Sequence, residues 1–101
     1  MKTLLNLTAA VFFSSLASVS FAGDAAAGKA KSMTCAGCHG ANGISNNPMW
    51  PNLAGQKQAY LASSLQMYRD GRRKNAMMSA MAKNLTDADI ANLAAYYSSL
   101  K

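Results

Sequence analysis

The chain has 101 residues, with ten Lys plus Arg against four Asp and no Glu, one His and two Cys. That length allows one small domain. Four scattered carboxylates argue against a paired-carboxylate hydrolase, one His excludes a two-Cys, two-His zinc finger, and two Cys exclude a multi-disulfide scaffold. With half its residues apolar and 14% charged, the sequence is too apolar to be disordered.

Residues 1–22 have the pattern of a secretory signal peptide. Lys2 supplies the positive start, and Leu4 to Ala17 is an uncharged, largely apolar run. Ser20 and Ala22 are small residues before a cleavage site at Gly23. An uncleaved anchor is the competing reading, but Asn6, Thr8, Ser14, Ser15 and Ser18 dilute the apolar run. Cleavage after Ala22 would leave a mature protein, residues 23–101, that works outside the cytoplasm. It would keep nine basic and four acidic side chains over 79 residues. A domain this short needs a staple: disulfides, a metal or a cofactor.

The mature part reads as all-α. It holds two Ile, two Thr and no Val, too few β-branched residues for a sheet. Asp24 is a good N-cap for a first helix ending near Gly37. Residues 40–55, rich in Gly, Pro and Asn, read as an ordered loop. A second helix spans about 56–70, with Tyr60, Leu61, Leu65 and Tyr68 on one face and Gly71 as its stop. Residues 72–85 read as a basic, then Met-rich, connection. A last helix follows Thr86, with Asp89 completing a capping box and Ile90, Leu93, Ala94 and Tyr97 as its apolar stripe. No internal repeat is visible, so a single prosthetic group is expected.

The chemistry lies in Cys35-Ala36-Gly37-Cys38-His39. In an exported protein the pattern C-x-x-C-H has three meanings. The first is covalent attachment of a c-type haem: two thiols at this spacing reach the two vinyls of one ring, and the adjacent imidazole reaches the iron. The second is a thioredoxin-like dithiol, which needs a βαβ setting that this composition does not offer. The third is zinc or a simple disulfide. Zinc lacks a third Cys or second His, and the Asp residues show no matching spacing.

The whole mature sequence resembles the class I c-type cytochromes, in particular the small bacterial periplasmic monohaem type related to each half of the dihaem periplasmic cytochromes. The resemblance rests on Gly23-Asp24 with Gly28, then Cys35 to Gly40, then Pro51-Asn52-Leu53-Ala54-Gly55-Gln56. It continues through Tyr60-Leu61, Arg69-Asp70-Gly71, Met77-Met78, Leu85 to Ile90, and Leu93-Ala94-Ala95-Tyr96. It implies three main helices plus loops wrapped around one covalently bound haem c, attached at Cys35 and Cys38. It also implies that Gly28 and Tyr96 mark the crossing of the first and last helices.

His39 would supply one axial ligand, and His/His ligation is unavailable because His39 is the only His. A Met opposite raises the potential and suits electron transfer, whereas an open face suits ligand chemistry. Met33 lies too close to the motif, Met67 reads as helix packing, and Met49 falls on the His side by family analogy. Met77, Met78 and Met81 remain. In the family the ligand lies seven residues before the Leu that opens the last-helix motif, which points to Met78. The family also accepts the second imidazole N–H on a Pro carbonyl, placing Pro48 there with Pro51 as runner-up. Trp50, Leu53, Tyr60, Leu65, Leu93 and Tyr97 are candidate haem-wall residues. Among Arg69, Arg72, Arg73 and Lys74, Arg73 is the candidate partner of a haem propionate, against a bland reading as a solvated helix end.

The expected function is a periplasmic one-electron Fe(III)/Fe(II) carrier with His/Met ligation, not an enzyme. Its partners would be redox proteins with acidic docking surfaces, steered by a modest positive field. No nucleic acid is expected, and membrane contact would come only through membrane-bound redox complexes. The alternatives are a haem sensor or peroxidase-like protein with a displaceable Met, or an electron-accepting subunit of a dehydrogenase or oxidase.

Overall fold

The computed structural model describes residues 23–101; the proposed export segment, 1–22, lies outside the described residues. Five helices follow in order: α1 (Ala25–Lys31), α2 (Met33–His39), α3 (Gln58–Asp70), α4 (Ala76–Ala82) and α5 (Asp87–Ser99). There is no strand among the described residues, and no helix there is long and apolar enough to cross a membrane.

Two elements differ from the sequence expectation. The first helix is interrupted at the buried Ser32, whose hydroxyl donates to the Lys29 carbonyl at 2.6 Å. A serine bonding back onto the preceding turn competes with the helical ladder. The second segment, α2, then runs on to His39 rather than stopping near Gly37. The other difference lies in the Met-rich connection, which holds α4. The Asn75 side chain accepts from the Met78 N–H at 3.0 Å and caps that helix. Among the described residues there are thus five helices, and the expected count of three main ones is not reproduced.

The remaining ends follow ordinary local chemistry. Asp24 accepts from Ala26 and Ala27 N–H at 2.9 and 3.3 Å, starting α1. Gly71, at φ +77°, closes α3 in the left-handed conformation that favours glycine. At α5 the Thr86 hydroxyl accepts from the Asp89 N–H and the Asp89 carboxylate accepts from the Thr86 N–H, both at 3.0 Å.

Packing is dominated by the contact of α1 with α5, followed by α3 with α5. Gly28 is buried where α1 crosses α5, with the Asn92 backbone and Tyr96 Cβ against it. The core joins Leu61 of α3 to Leu93, Ala94, Tyr96 and Tyr97 of α5. Arg69 at the end of α3 donates to Asp87 Oδ1 at 2.7 Å and to the Leu85 carbonyl at 3.3 Å, tying α3 to the start of α5. The loop between α2 and α3 is held at two points. The Gly43 carbonyl accepts from Leu53 and Ala54 N–H at 2.8 and 3.0 Å, and Gly55 N–H donates to the Tyr97 carbonyl at 2.9 Å.

A β-carbon on Gly28 would fall inside the Asn92 carbonyl and 2.8 Å from Tyr96 Cβ. Backbone yields far less readily than a flexible side-chain tip, so Gly28→Ala should cost about 3 kcal/mol in chemical denaturation. The Asp89 carboxyl is held below the usual aspartate range, chiefly by the Thr86 N–H, with Lys31 at 3.5 Å adding to it. A depressed native pKa contributes its stability in full above the unfolded value of about 4 and loses it as pH falls through the native value. Asp89→Asn should therefore cost about 1 kcal/mol at pH 7 and nothing by about pH 2, read from melting curves across pH.

Candidate functional site

Cys35, Cys38 and His39 occupy positions i, i+3 and i+4 of α2, which places them on one face of the helix. All three line a cavity of about 400 Å³ enclosed by α2, the following loop, α3, α4 and α5. Both cysteines are free thiols, half-buried. Burial raises the Cys35 thiol above its usual range, opposed by the neighbouring Thr34 and Tyr97 hydroxyls. The Tyr97 hydroxyl is pushed up in turn, mostly by burial and next by Cys35.

His39 is only 6% exposed. Its Nδ1 lies 2.8 Å from the Pro51 carbonyl oxygen. A carbonyl can only accept, so Nδ1 carries the proton and the Nε2 lone pair is available to a metal. The acceptor is thus Pro51, and the expectation of Pro48 is corrected. Pro48 follows Asn47 in a tight turn closed by Trp50 N–H to the Asn47 carbonyl at 3.0 Å, a position that suits its fixed φ. This leaves Pro48 at the exposed tip of the loop and off the cavity wall. The backbone then returns under His39, held by the Asn52 side chain accepting from Ser45 N–H at 2.7 Å.

Trp50, Leu53, Tyr60, Leu65, Leu93 and Tyr97 all line the cavity. Trp50 and Tyr60 do so at its rim, with 37% and 52% exposure. Met77, Met78 and Met81 also reach it, all from α4. Met78 is half-buried, while Met77 and Met81 are exposed. Sequence reasoning missed Ser64 and Asn75 on this wall. Ser64 lies one turn after Tyr60 and one before Tyr68, so the spacing of the aromatic residues was the available signal. Met49, placed on the His side by analogy, lines the same cavity and is highly exposed.

The donor set suits a large, flat, mostly apolar group better than a bare ion. Among the described residues no three His, Cys, Asp or Glu side chains gather to hold a metal. A macrocycle that brings its own four equatorial nitrogens needs only axial partners from the protein. The two thiols, one imidazole and thioether groups here, on walls of Leu, Trp and Tyr, meet that requirement.

The comparisons agree with this chemistry. The family model described as Cytochrome c matches residues 25–101. The protein is 56% identical to cytochrome c-554(548) of Halomonas halodenitrificans, over 77% of this chain and 98% of that protein. It is 47% identical to a thiosulfate dehydrogenase electron acceptor of Thiomonas intermedia, over 75% of this chain and 36% of that protein. The solved cytochrome c4 of Acidithiobacillus ferrooxidans superposes with a TM-score of 0.72 at 38% identity, covering 75% of this chain and 49% of that one. The match thus spans nearly all of the first relative and half or less of the other two. A cavity opening onto two thiols and an imidazole, and a match over nearly all the described residues, lead to one conclusion: the chain belongs to the cytochrome c family, whose prosthetic group is covalently bound haem c.

Proposed function

We propose that the protein is a periplasmic one-electron carrier in which Cys35 and Cys38 hold haem c through thioether bonds and His39 Nε2 and Met78 Sδ are the axial ligands. The observation that carries this reading is the convergence of Cys35, Cys38, His39 and Met78 on one cavity. When bound, the haem supplies the Fe(III)/Fe(II) couple. Residues of the protein do the rest. The Pro51 carbonyl fixes the tautomer and orientation of His39. Of the three methionines on α4, Met78 is the least exposed, and the Asn75 cap holds its backbone N–H. Leu53, Leu65, Leu93 and Tyr97 keep water from the ring. Low polarity and a thioether ligand both favour the reduced state.

The carrier reading is supported by what lines the cavity: among the described residues, no carboxylate and no lysine stand there to move protons for a substrate. A second reading, an electron-accepting subunit docked on a dehydrogenase, is favoured by the likeness to the thiosulfate dehydrogenase electron acceptor. Either way, the exposed cations Arg73 and Lys74 suit an acidic partner surface, and exposed Met49, Met77 and Met81 at the cavity rim offer it an apolar contact. Residues 1–22 would direct export and be removed after Ala22.

Protein exported alongside haem-maturation machinery should show a low-spin c-type spectrum that carbon monoxide does not alter. Met78→Ala should make the reduced spectrum respond to carbon monoxide, whereas Met77→Ala and Met81→Ala should not. A wild-type spectrum that carbon monoxide shifts would open the sixth position and favour a sensor. Absence of haem would return Cys35 and Cys38 to thiol chemistry. Mass spectrometry of the periplasmic fraction should find a polypeptide starting at Gly23.

A further inference from the structure

The helix that carries Met78 has little of its own to hold it together. α4 is seven residues long, and a helix that short is marginal in water without support from outside. No acidic residue stands in its first turn and no basic residue in its last, so its end charges gain nothing from side chains. Its one buried residue, Ala82, lies in the last turn. Met77 and Met78 are in the first turn, where α4 has no buried residue.

That first turn is held by Asn75. The side-chain oxygen of Asn75 accepts from the Met78 N–H at 3.0 Å, and its carbonyl accepts from the Ser79 N–H at 2.8 Å. Asn75 itself is extended, at φ −154° and ψ 120°, as an N-cap residue must be. Two residues earlier the Arg73 N–H donates to the Met67 carbonyl of α3 at 3.1 Å. The support of Met78 therefore runs from α3 through the Arg73 backbone to Asn75, and from its side chain to the Met78 backbone. Asn75 and Met78 line the same cavity. The contrast with α5 is plain: Thr86 caps that helix too, but buried side chains from Ile90 to Tyr97 anchor it along its length.

We infer that Asn75 is the positioning residue that sets how firmly Met78 holds the sixth position of the iron, and so how readily a small ligand takes its place. The inference rests on the reading of Met78 as an axial ligand. Losing the cap frees the first turn of α4, and the Met78 backbone moves with it. The thioether is then off the iron for a larger share of the time. Cys35, Cys38 and His39 stand on α2, so covalent attachment and the opposite ligand are untouched.

The test uses the haem-loaded ferric protein with imidazole as the added ligand. Binding is read from loss of the sulfur-to-iron charge-transfer band. Asn75 is exposed, so its variants should fold. Asn75→Ala should lower the half-saturating imidazole concentration about fivefold, the factor that corresponds to a typical N-cap. Asn75→Asp and Asn75→Ser retain a capping oxygen and should return it to within about twofold of wild type. Thr86→Ala removes a cap of the same kind from α5 and should leave it unchanged, although it lowers overall stability. No decrease in Asn75→Ala, no recovery in either capping variant, or an equal decrease in Thr86→Ala would overturn the inference. A wild-type protein without the charge-transfer band would instead overturn the reading of Met78 beneath it.

Discussion

At Gly28 the backbone of α1 rests directly on that of α5, and the geometry of the cavity follows from this contact. The absent side chain brings the helices close enough for Tyr96 to pack beside the crossing. From there α5 directs Leu93 and Tyr97 inwards. The turn at Ser32 leads from the crossing into α2, which carries both thiols and the imidazole. Elements at opposite ends of the described residues thus become two walls of one site. Asp24 reinforces the arrangement, since its own N–H donates to the Asn92 side chain at 2.7 Å.

The third wall depends on a different kind of interaction. Arg69 joins the end of α3 to the start of α5 through a charge-assisted bond to Asp87 and a bond to the Leu85 carbonyl. Exposed pairs of this sort contribute little individually. Their value here is geometric, because α3 carries Leu61, Ser64 and Leu65 and its far end must be held against α5. The apolar core itself is small: Leu61, Leu93, Ala94, Tyr96 and Tyr97 account for most of it. In a domain of this size a bound ring is less a guest than a missing part of the interior.

Most of the scaffold was legible because it is written in local chemistry. Asp24, Gly71 and the Thr86–Asp89 box act through neighbours two to four residues away, so their effects can be read without the tertiary structure. The break at Ser32 was not legible, since a serine inside a helical pattern is usually tolerated and only its bond to the Lys29 carbonyl shows the interruption. For α4, Asn75 was an available cap signal, but the basic run before it and the methionine cluster after it gave no clear amphipathic period. The choice between Pro48 and Pro51 depended on the path of the loop. That path follows from the turn at Asn47–Trp50 and from Gly43 accepting two distant N–H groups, interactions that residue identity alone does not rank. The aromatic spacing on α3 gave its inward face but not the unpartnered hydroxyl of Ser64.

The partner of His39 is a main-chain atom, and this alters where the site is genetically vulnerable. Every amino acid has a carbonyl, so no change of side chain at position 51 deletes the acceptor. Harm must come indirectly, from residues that shape the loop: Gly43, whose β-carbon would meet the Ala54 backbone, and Asn52, which holds Ser45. Selection on the imidazole's support would then be recorded in these residues rather than at the acceptor itself. A survey of variation confined to the iron's own ligands would overlook them.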